Sequence, residues 1–296
     1  MWAVLSLYQR ASGVRAARSS RRHPARLDSV VGMAAEVVGI IGGSGFYSLL
    51  HGADEVDVDT PYGPPSGTLT RGTLGGRDVV FVPRHGADHR FAPHVVPYRA
   101  NLWALRSQGV RQVVAVSAVG SLTTSLPQGS LVVPDQVVDR TQGRLHTYFD
   151  GAAGVGHVSF ADPYCLRGRA AALSTGAGAV EGGTLVVVNG PRFSSRAESL
   201  EFQARGWSII GMTGMPEAGL ARELGLCYTL LALVTDLDAG VEAGEGVTHA
   251  EVFAAFAENL PHLRSLLVAT VGALPGAQDD CACGDTSAHP KAFRLP

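Results

Sequence analysis

The 296-residue chain carries 24 Lys and Arg against 26 Asp and Glu, so it has no basic excess of the kind that grips a nucleic-acid backbone. Apolar residues make up 46% and there are 37 glycines, a balance that excludes a disordered chain and predicts a large core with many tight turns. No apolar run approaches the ~20 residues that span a bilayer, and the length suits one large α/β domain.

The first 32 residues hold Arg10, Arg15, Arg18, Arg21, Arg22 and Arg26 against one acid, Asp28. A short apolar run at 2–7 precedes these arginines, the reverse of a secretory signal. Residues 1–32 are expected to be a disordered leader, or to lie upstream of a true start at Met33; a transit peptide is the alternative. From Glu36 the character changes, and residues 33–275 read as the folded domain.

Val37-Val38-Gly39-Ile40-Ile41 is a continuous apolar run of the buried-strand type, closed by Gly42-Gly43-Ser44-Gly45. A glycine turn after a strand can aim backbone N–H groups at an anion, with Ser44 adding a hydroxyl. The Gly-Lys-Ser/Thr ending of a P-loop is missing, and Ser48 stands where the dinucleotide fingerprint needs its third glycine. A nicotinamide oxidoreductase is therefore not expected. A second buried strand at 79–82 leads into Pro83-Arg84-His85-Gly86, which puts a guanidinium and an imidazole at a strand exit, where ligands of open α/β sheets bind. A helix at 98–108 precedes a strand at 113–116, whose exit Ser117-Ala118-Val119-Gly120-Ser121 offers small hydroxyl donors and accessible backbone.

A strand at 131–133, a mobile loop at 151–156, a helix at 163–173 and a strand at 185–188 follow. Gly190-Pro191-Arg192-Phe193-Ser194-Ser195-Arg196-Ala197-Glu198 then supplies an aromatic ring, hydroxyls and a helix start over 194–205. Ser195 and Glu198 fit a capping box, while Phe193 can stack on a planar base or fill core. Beyond Met212-Thr213 and a helix at 216–224, a strand at 229–234 ends in Thr235-Asp236-Leu237-Asp238. Carboxylates at i, i+2 on an extended end project to one side and can grip one polar ligand, although a solvated turn shows the same pattern. An amphipathic helix at 249–271 closes the domain, and residues 276–296 read as a loose tail. Cys165 and Cys227 lie in structured segments and Cys281-Ala282-Cys283 in the tail; with no second ligand pair at zinc-site spacing, no metal is expected. A reducing cytoplasm fits this cysteine usage.

Taken in order, Ile-Ile-Gly-Gly-Ser-Gly, Arg84-His85-Gly86, Gly120-Ser121-Leu122, Asp139-Arg140-Thr141, the 190–199 motif, Met212-Thr213 and Thr235-Asp236-Leu237-Asp238 resemble the 5'-methylthioadenosine phosphorylases of the trimeric purine nucleoside phosphorylase superfamily. The resemblance covers about 37–275. It implies a single α/β domain around a mixed, partly barrel-like β-sheet flanked by helices, a homotrimer with sites near subunit interfaces, and no metal or organic cofactor, with inorganic phosphate as co-substrate. It makes Ser44, Arg84, His85, Ser117, Ala118 and Thr213 the phosphate site. Met212 would lie against the ribose, with Phe193, Ser194, Asp236, Leu237 and Asp238 around the purine, and Asp236 as the catalytic acid at N7. His157, His249, Val252 and Phe253 would line the pocket for the 5'-substituent.

The implied reaction is phosphorolysis of the N-glycosidic bond of methylthioadenosine by a pentosyltransferase, with no nucleic-acid or membrane partner. One position departs from the pattern: His249 stands where these enzymes usually present an apolar residue, and the segment resembles the His-x-Glu-Val of purine nucleoside phosphorylases, whose histidine meets a 5'-hydroxyl. A purine nucleoside phosphorylase acting on adenosine or 6-oxopurine nucleosides is therefore the alternative, with 5'-halogenated deoxyadenosine as a narrower variant. A nucleosidase, which would use water in place of phosphate, is disfavoured by the anion donors.

Overall fold

The computed structural model describes residues 35–43, 46, 50–151, 154–241, 246–279 and 281–296. Ser44, Gly45 and the expected leader at 1–32 lie outside the described residues.

Among the described residues, eleven strands form one mixed sheet. The hydrogen-bonded path runs β2 (His51–Val56), β3 (Leu69–Leu74), β4 (Arg77–Pro83), β1 (Val38–Gly42), β5 (Gln112–Ser121), β10 (Ile209–Gly211), β9 (Thr184–Val187), β7 (Gln136–Asp139). A branch leaves β5 through β11 (Cys227–Leu237) to β6 (Leu131–Val133) and β8 (Val180–Glu181). Strands β4, β1, β5 and β11 are parallel neighbours, so their C-terminal ends share one edge, where ligands of such sheets bind.

Helices cover both faces, which is why these strands read as unbroken apolar runs. Alternation sorts their side chains: Val38, Ile40, Val79, Phe81, Val114, Val116, Leu231 and Leu233 pack with Leu263, Leu266 and Leu267 of α5 (His249–Ala273) and with Ala171 and Ala172 of α2 (Leu166–Leu173). The intervening Ile41, Val80, Val82, Val113, Ala115, Leu230 and Ala232 pack with Leu102 and Leu105 of α1 (Tyr98–Ser107), while Ala218 and Leu220 of α4 (Gly214–Glu223) join the same cluster. The remaining helix, α3 (Arg196–Ala204), starts at Ser195 with the expected capping box to Glu198.

The antiparallel additions β2 and β3 were not expected from the sequence. β3 exposes alternate residues, so it lacks the apolar run that marks its neighbours. It turns into β4 through Gly75-Gly76, both at positive φ (57° and 76°), the geometry of a two-residue type I′ hairpin.

The expectation of a loose tail is overturned. Glu36 donates its amide to Gly276 O at 2.8 Å, Gln278 N bonds Glu36 Oε2 at 2.9 Å, and Phe293 is only 8% exposed. Its ring packs edge-on to Phe149 at 5.0 Å and Trp103 at 6.0 Å, one aromatic anchor inside an otherwise polar segment. The tail also brings Cys281 and Cys283 against Cys165 and Cys227, a cluster hidden from linear spacing because three separate segments supply it.

Candidate active site

A cavity of about 730 Å³ opens at the C-terminal edge of β1, β4, β5 and β11, with one face of α5 as its side wall. Residues at each strand exit line it, so the fold itself gathers side chains distant in sequence. In β5 the buried run is interrupted only at Ser117 and Ala118, where the strand forms part of the wall.

At one end, Arg84 extends β4, held by its amide to Gly42 O at 2.9 Å. Its side chain is 3% exposed and that of Glu217 1%. The pair is bidentate: Nε to Oε2 and Nη2 to Oε1, both 2.8 Å, while Nη1 donates to Val116 O at 2.7 Å. Tyr228 Oη also donates to Glu217 Oε1, at 2.7 Å. Burial works against the guanidinium's charge, and Glu217 more than offsets it, so Arg84 stays charged. Two of its five N–H groups remain for a ligand.

His85 departs from the expected role of anion donor. Its Nδ1 lies 2.8 Å from the Phe91 carbonyl oxygen, which can only accept, so Nδ1 carries the proton. Burial, then the Arg84 charge, push the imidazole down to about 4. It is neutral at pH 7, with the Nε2 lone pair free to accept from a P–OH group. Ser117 Oγ and Thr213 Oγ1 are 3.3 Å apart. Thr213 precedes α4, which is broken by an extended Met215, and spends no hydroxyl on a cap bond, so that hydroxyl is available to a ligand beside Ser117.

At the other end, β11 carries a bulge between Val234 and Asp236 that pairs Asp236 with Gly120 of β5. A Cβ on Gly120 would lie 2.9 Å from Asp236 Oδ2 and 3.0 Å from Ile210 Cγ2, so the missing side chain makes room for the carboxylate. Burial pushes the Asp236 carboxyl up to about 6 against a 2.8 Å bond from Thr235 Oγ1, with the Asp238 charge adding to the rise. Burial also raises Asp238, opposed by the Ser199 hydroxyl and the Ala239 amide. Its Oδ2 and Ser194 Oγ are buried without a hydrogen-bond partner among the described residues, the pattern of groups that await a ligand.

Met212, Phe193 and Ser194 complete this end, and His249, Val252, Phe253, Phe256, Ala257 and Leu260 of α5 form the side. Phe253 is 50% exposed at the rim, its ring 4.3 Å from that of His249. Two expected residues stand apart. Leu237 lies between the two aspartates on the strand and is not on the cavity wall, as alternation requires. His157 is exposed and does not line the cavity of its own chain.

Residues 37–272 match the family model of the phosphorylase superfamily. The chain belongs to that superfamily. A purine nucleoside phosphorylase of Streptomyces coelicolor is 59% identical over 83% of this chain and 92% of its own. An S-methyl-5'-thioadenosine phosphorylase of Mycolicibacterium smegmatis is 56% identical over 88% of this chain and all of its own. Among solved structures, a methylthioadenosine phosphorylase from an Antarctic soil metagenomic library superposes with a TM-score of 0.79, at 38% identity, covering 89% of this chain and 94% of that one.

Within this phosphorylase fold the sequence reading missed Glu217, His89 and the deeper α5 residues. Glu217 sits in the Met-Pro-Glu stretch but acts sideways on a different strand's arginine, which no local pattern reveals. His89 stacks on His85 at 4.6 Å. Phe256 and Leu260 extend the three- and four-residue steps from His249, and that period could have found them.

Proposed function

We propose that the chain cleaves 5'-methylthioadenosine with inorganic phosphate, giving adenine and 5-methylthioribose 1-phosphate, without metal or organic cofactor in the reaction. The observation that carries this reading is the single cavity shared by the Arg84, Ser117 and Thr213 donors at one end and Asp236 and Asp238 at the other. Phosphate would be held by the two remaining Arg84 N–H groups and the two hydroxyls, with His85 Nε2 accepting its P–OH proton, and Ser44 completing the set as the resemblance implies. A phosphate oxygen attacks C1' as the C1'–N9 bond breaks and its electron pair passes to the adenine. Asp236, near half-protonated around pH 6, delivers a proton to N7. Asp238 accepts from the 6-amino group, a contact that a 6-oxo purine turns into two facing lone pairs.

Val252, Phe253, Phe256 and Leu260 favour an apolar 5'-group such as methylthio. The His249 imidazole favours the second reading, a nucleoside phosphorylase accepting a 5'-hydroxyl. Specificity constants for methylthioadenosine, adenosine and inosine, each with and without phosphate, separate these. Methylthioadenosine is expected to lead and to require phosphate. Preference for adenosine would install the second reading, and turnover without phosphate would overturn both.

The homotrimer belongs to the same proposal. A half-exposed Phe253 on the rim and a His157 outside its own chain's cavity fit an assembly in which a neighbouring subunit closes the 5' pocket. Light scattering giving a monomer with full activity would refute it.

A further inference from the structure

We propose that Cys165, Cys227, Cys281 and Cys283 form a tetrahedral thiolate site for one Zn²⁺ that fastens the C-terminal segment to the sheet. Their four Sγ atoms lie within 4.8 Å of one another, with Cys227 to Cys281 at 3.4 Å and Cys165 to Cys281 at 3.7 Å. A Zn–S bond of about 2.3 Å puts tetrahedral edges at about 3.8 Å, which these separations bracket. All four cysteines are free, and a disulfide would hold two sulfurs at about 2.05 Å. Three of the four are buried and the fourth half-buried. A closed set of four sulfurs with no oxygen or nitrogen ligand is the donor pattern of a structural zinc site.

The surroundings suit the charge. Zn²⁺ displaces four thiol protons to solvent, leaving a centre of net charge −2. Cys165 occupies the N-cap position of α2, at the positive end of its dipole. Gln278 Nε2 lies 3.4 Å from Cys227 Sγ while also donating to Gly225 O at 2.8 Å, an outer contact that orients a ligand.

Position defines the role. Cys227 begins β11 and Asp236 stands near its end, so nine strand steps put the metal roughly 30 Å from the reacting atoms. Its work is to tie the tail to α2 and β11, where Arg167 already donates to Asp279 O. This inference does not depend on the substrate assigned above.

Full-length protein purified without chelator is measured for metal and thiols. One zinc per chain is expected, together with four thiols that react only after denaturation with EDTA. Exchange into Co²⁺ should give the sulfur-to-cobalt charge-transfer band of a four-thiolate tetrahedron. The tail variant C281S/C283S avoids altering the strand and helix cysteines. It should lose the metal, melt at lower temperature and expose the tail to protease, with kcat/KM for the nucleoside unchanged. Four free thiols with no metal overturn the proposal. So does a mass lower by two hydrogens per bridge, which would identify disulfides instead.

Discussion

At the β4 and α4 end of the cavity, the charge of Arg84 is answered in full by Glu217, through two 2.8 Å bonds. At the β11 end, Asp236 and Asp238 have no cation paired to them among the described residues: burial raises both, Asp236 further through the Asp238 charge and Asp238 further through the Glu198 charge. The paired end keeps its charge across the working pH range. At the unpaired end, Asp236 titrates near 6. A site that must hold an anion in place and also release a proton divides those tasks in this way, because a group cannot both stay charged and exchange its proton at one pH.

The largest effect is expected at the paired end. Arg84→Met leaves a buried carboxylate without its cation, and loss of about 3–5 kcal/mol in chemical denaturation is expected, with no saturation by phosphate. Adding Glu217→Leu should restore most of the stability and none of the phosphate dependence. Recovery of phosphate binding in the double variant would show that Arg84 serves the fold alone. At the unpaired end, Asp238→Asn presents an amide N–H to a 6-oxo group. The ratio of kcat/KM for adenosine over inosine should fall by about 10²-fold or more, and an unchanged ratio would remove Asp238 from base selection. Gly120→Ala tests the space that holds the other aspartate. Its Cβ would press on Asp236 Oδ2, and kcat should fall about tenfold with the KM for phosphate unmoved, since misplacement of a reacting group acts on the chemical step.

The parallel strands were legible because burial on both faces writes a continuous apolar run, as in Val38-Gly39-Ile40-Ile41 and the long stretch from Cys227. β7, exposed or half-buried throughout, and the three-residue β10 carry too little apolar signal to be seen. The site followed the same rule. Residues immediately beyond an apolar run, such as Arg84, Ser117 and Asp236, could be picked out because topology brings strand exits together. Glu217 could not, since its role depends on how α4 packs against α1 and β11 to reach the arginine at the end of β4, and the cysteine cluster could not, since the tail returns over 54 residues to meet Cys227. The protonation state of His85 was equally hidden: it is set by the backbone carbonyl of Phe91, an acceptor that residue identity does not announce.

The smallest effect on stability should come from Asp236→Asn, which keeps shape and the bond from Thr235 but cannot titrate. In the wild type the folded carboxyl is raised from the ordinary 3.8 to about 6, so between these values the native state binds more protons than the unfolded chain. Stability present below pH 4 is then lost as pH rises through about 6, and stays flat beyond. Two pKa units correspond to about 3 kcal/mol; because the cavity admits solvent, a gain of about 1 kcal/mol for the Asn variant at pH 7.5 is expected, vanishing by pH 4. Activity should move the opposite way. Wild-type kcat/KM should fall above about pH 6 as the acid form is lost, whereas the amide, donating to N7 without exchanging a proton, should give a lower rate with that limb removed. If the variant keeps the same falling limb, the titrating group lies elsewhere, and the unpaired carboxylate would be a purine anchor with no part in proton transfer.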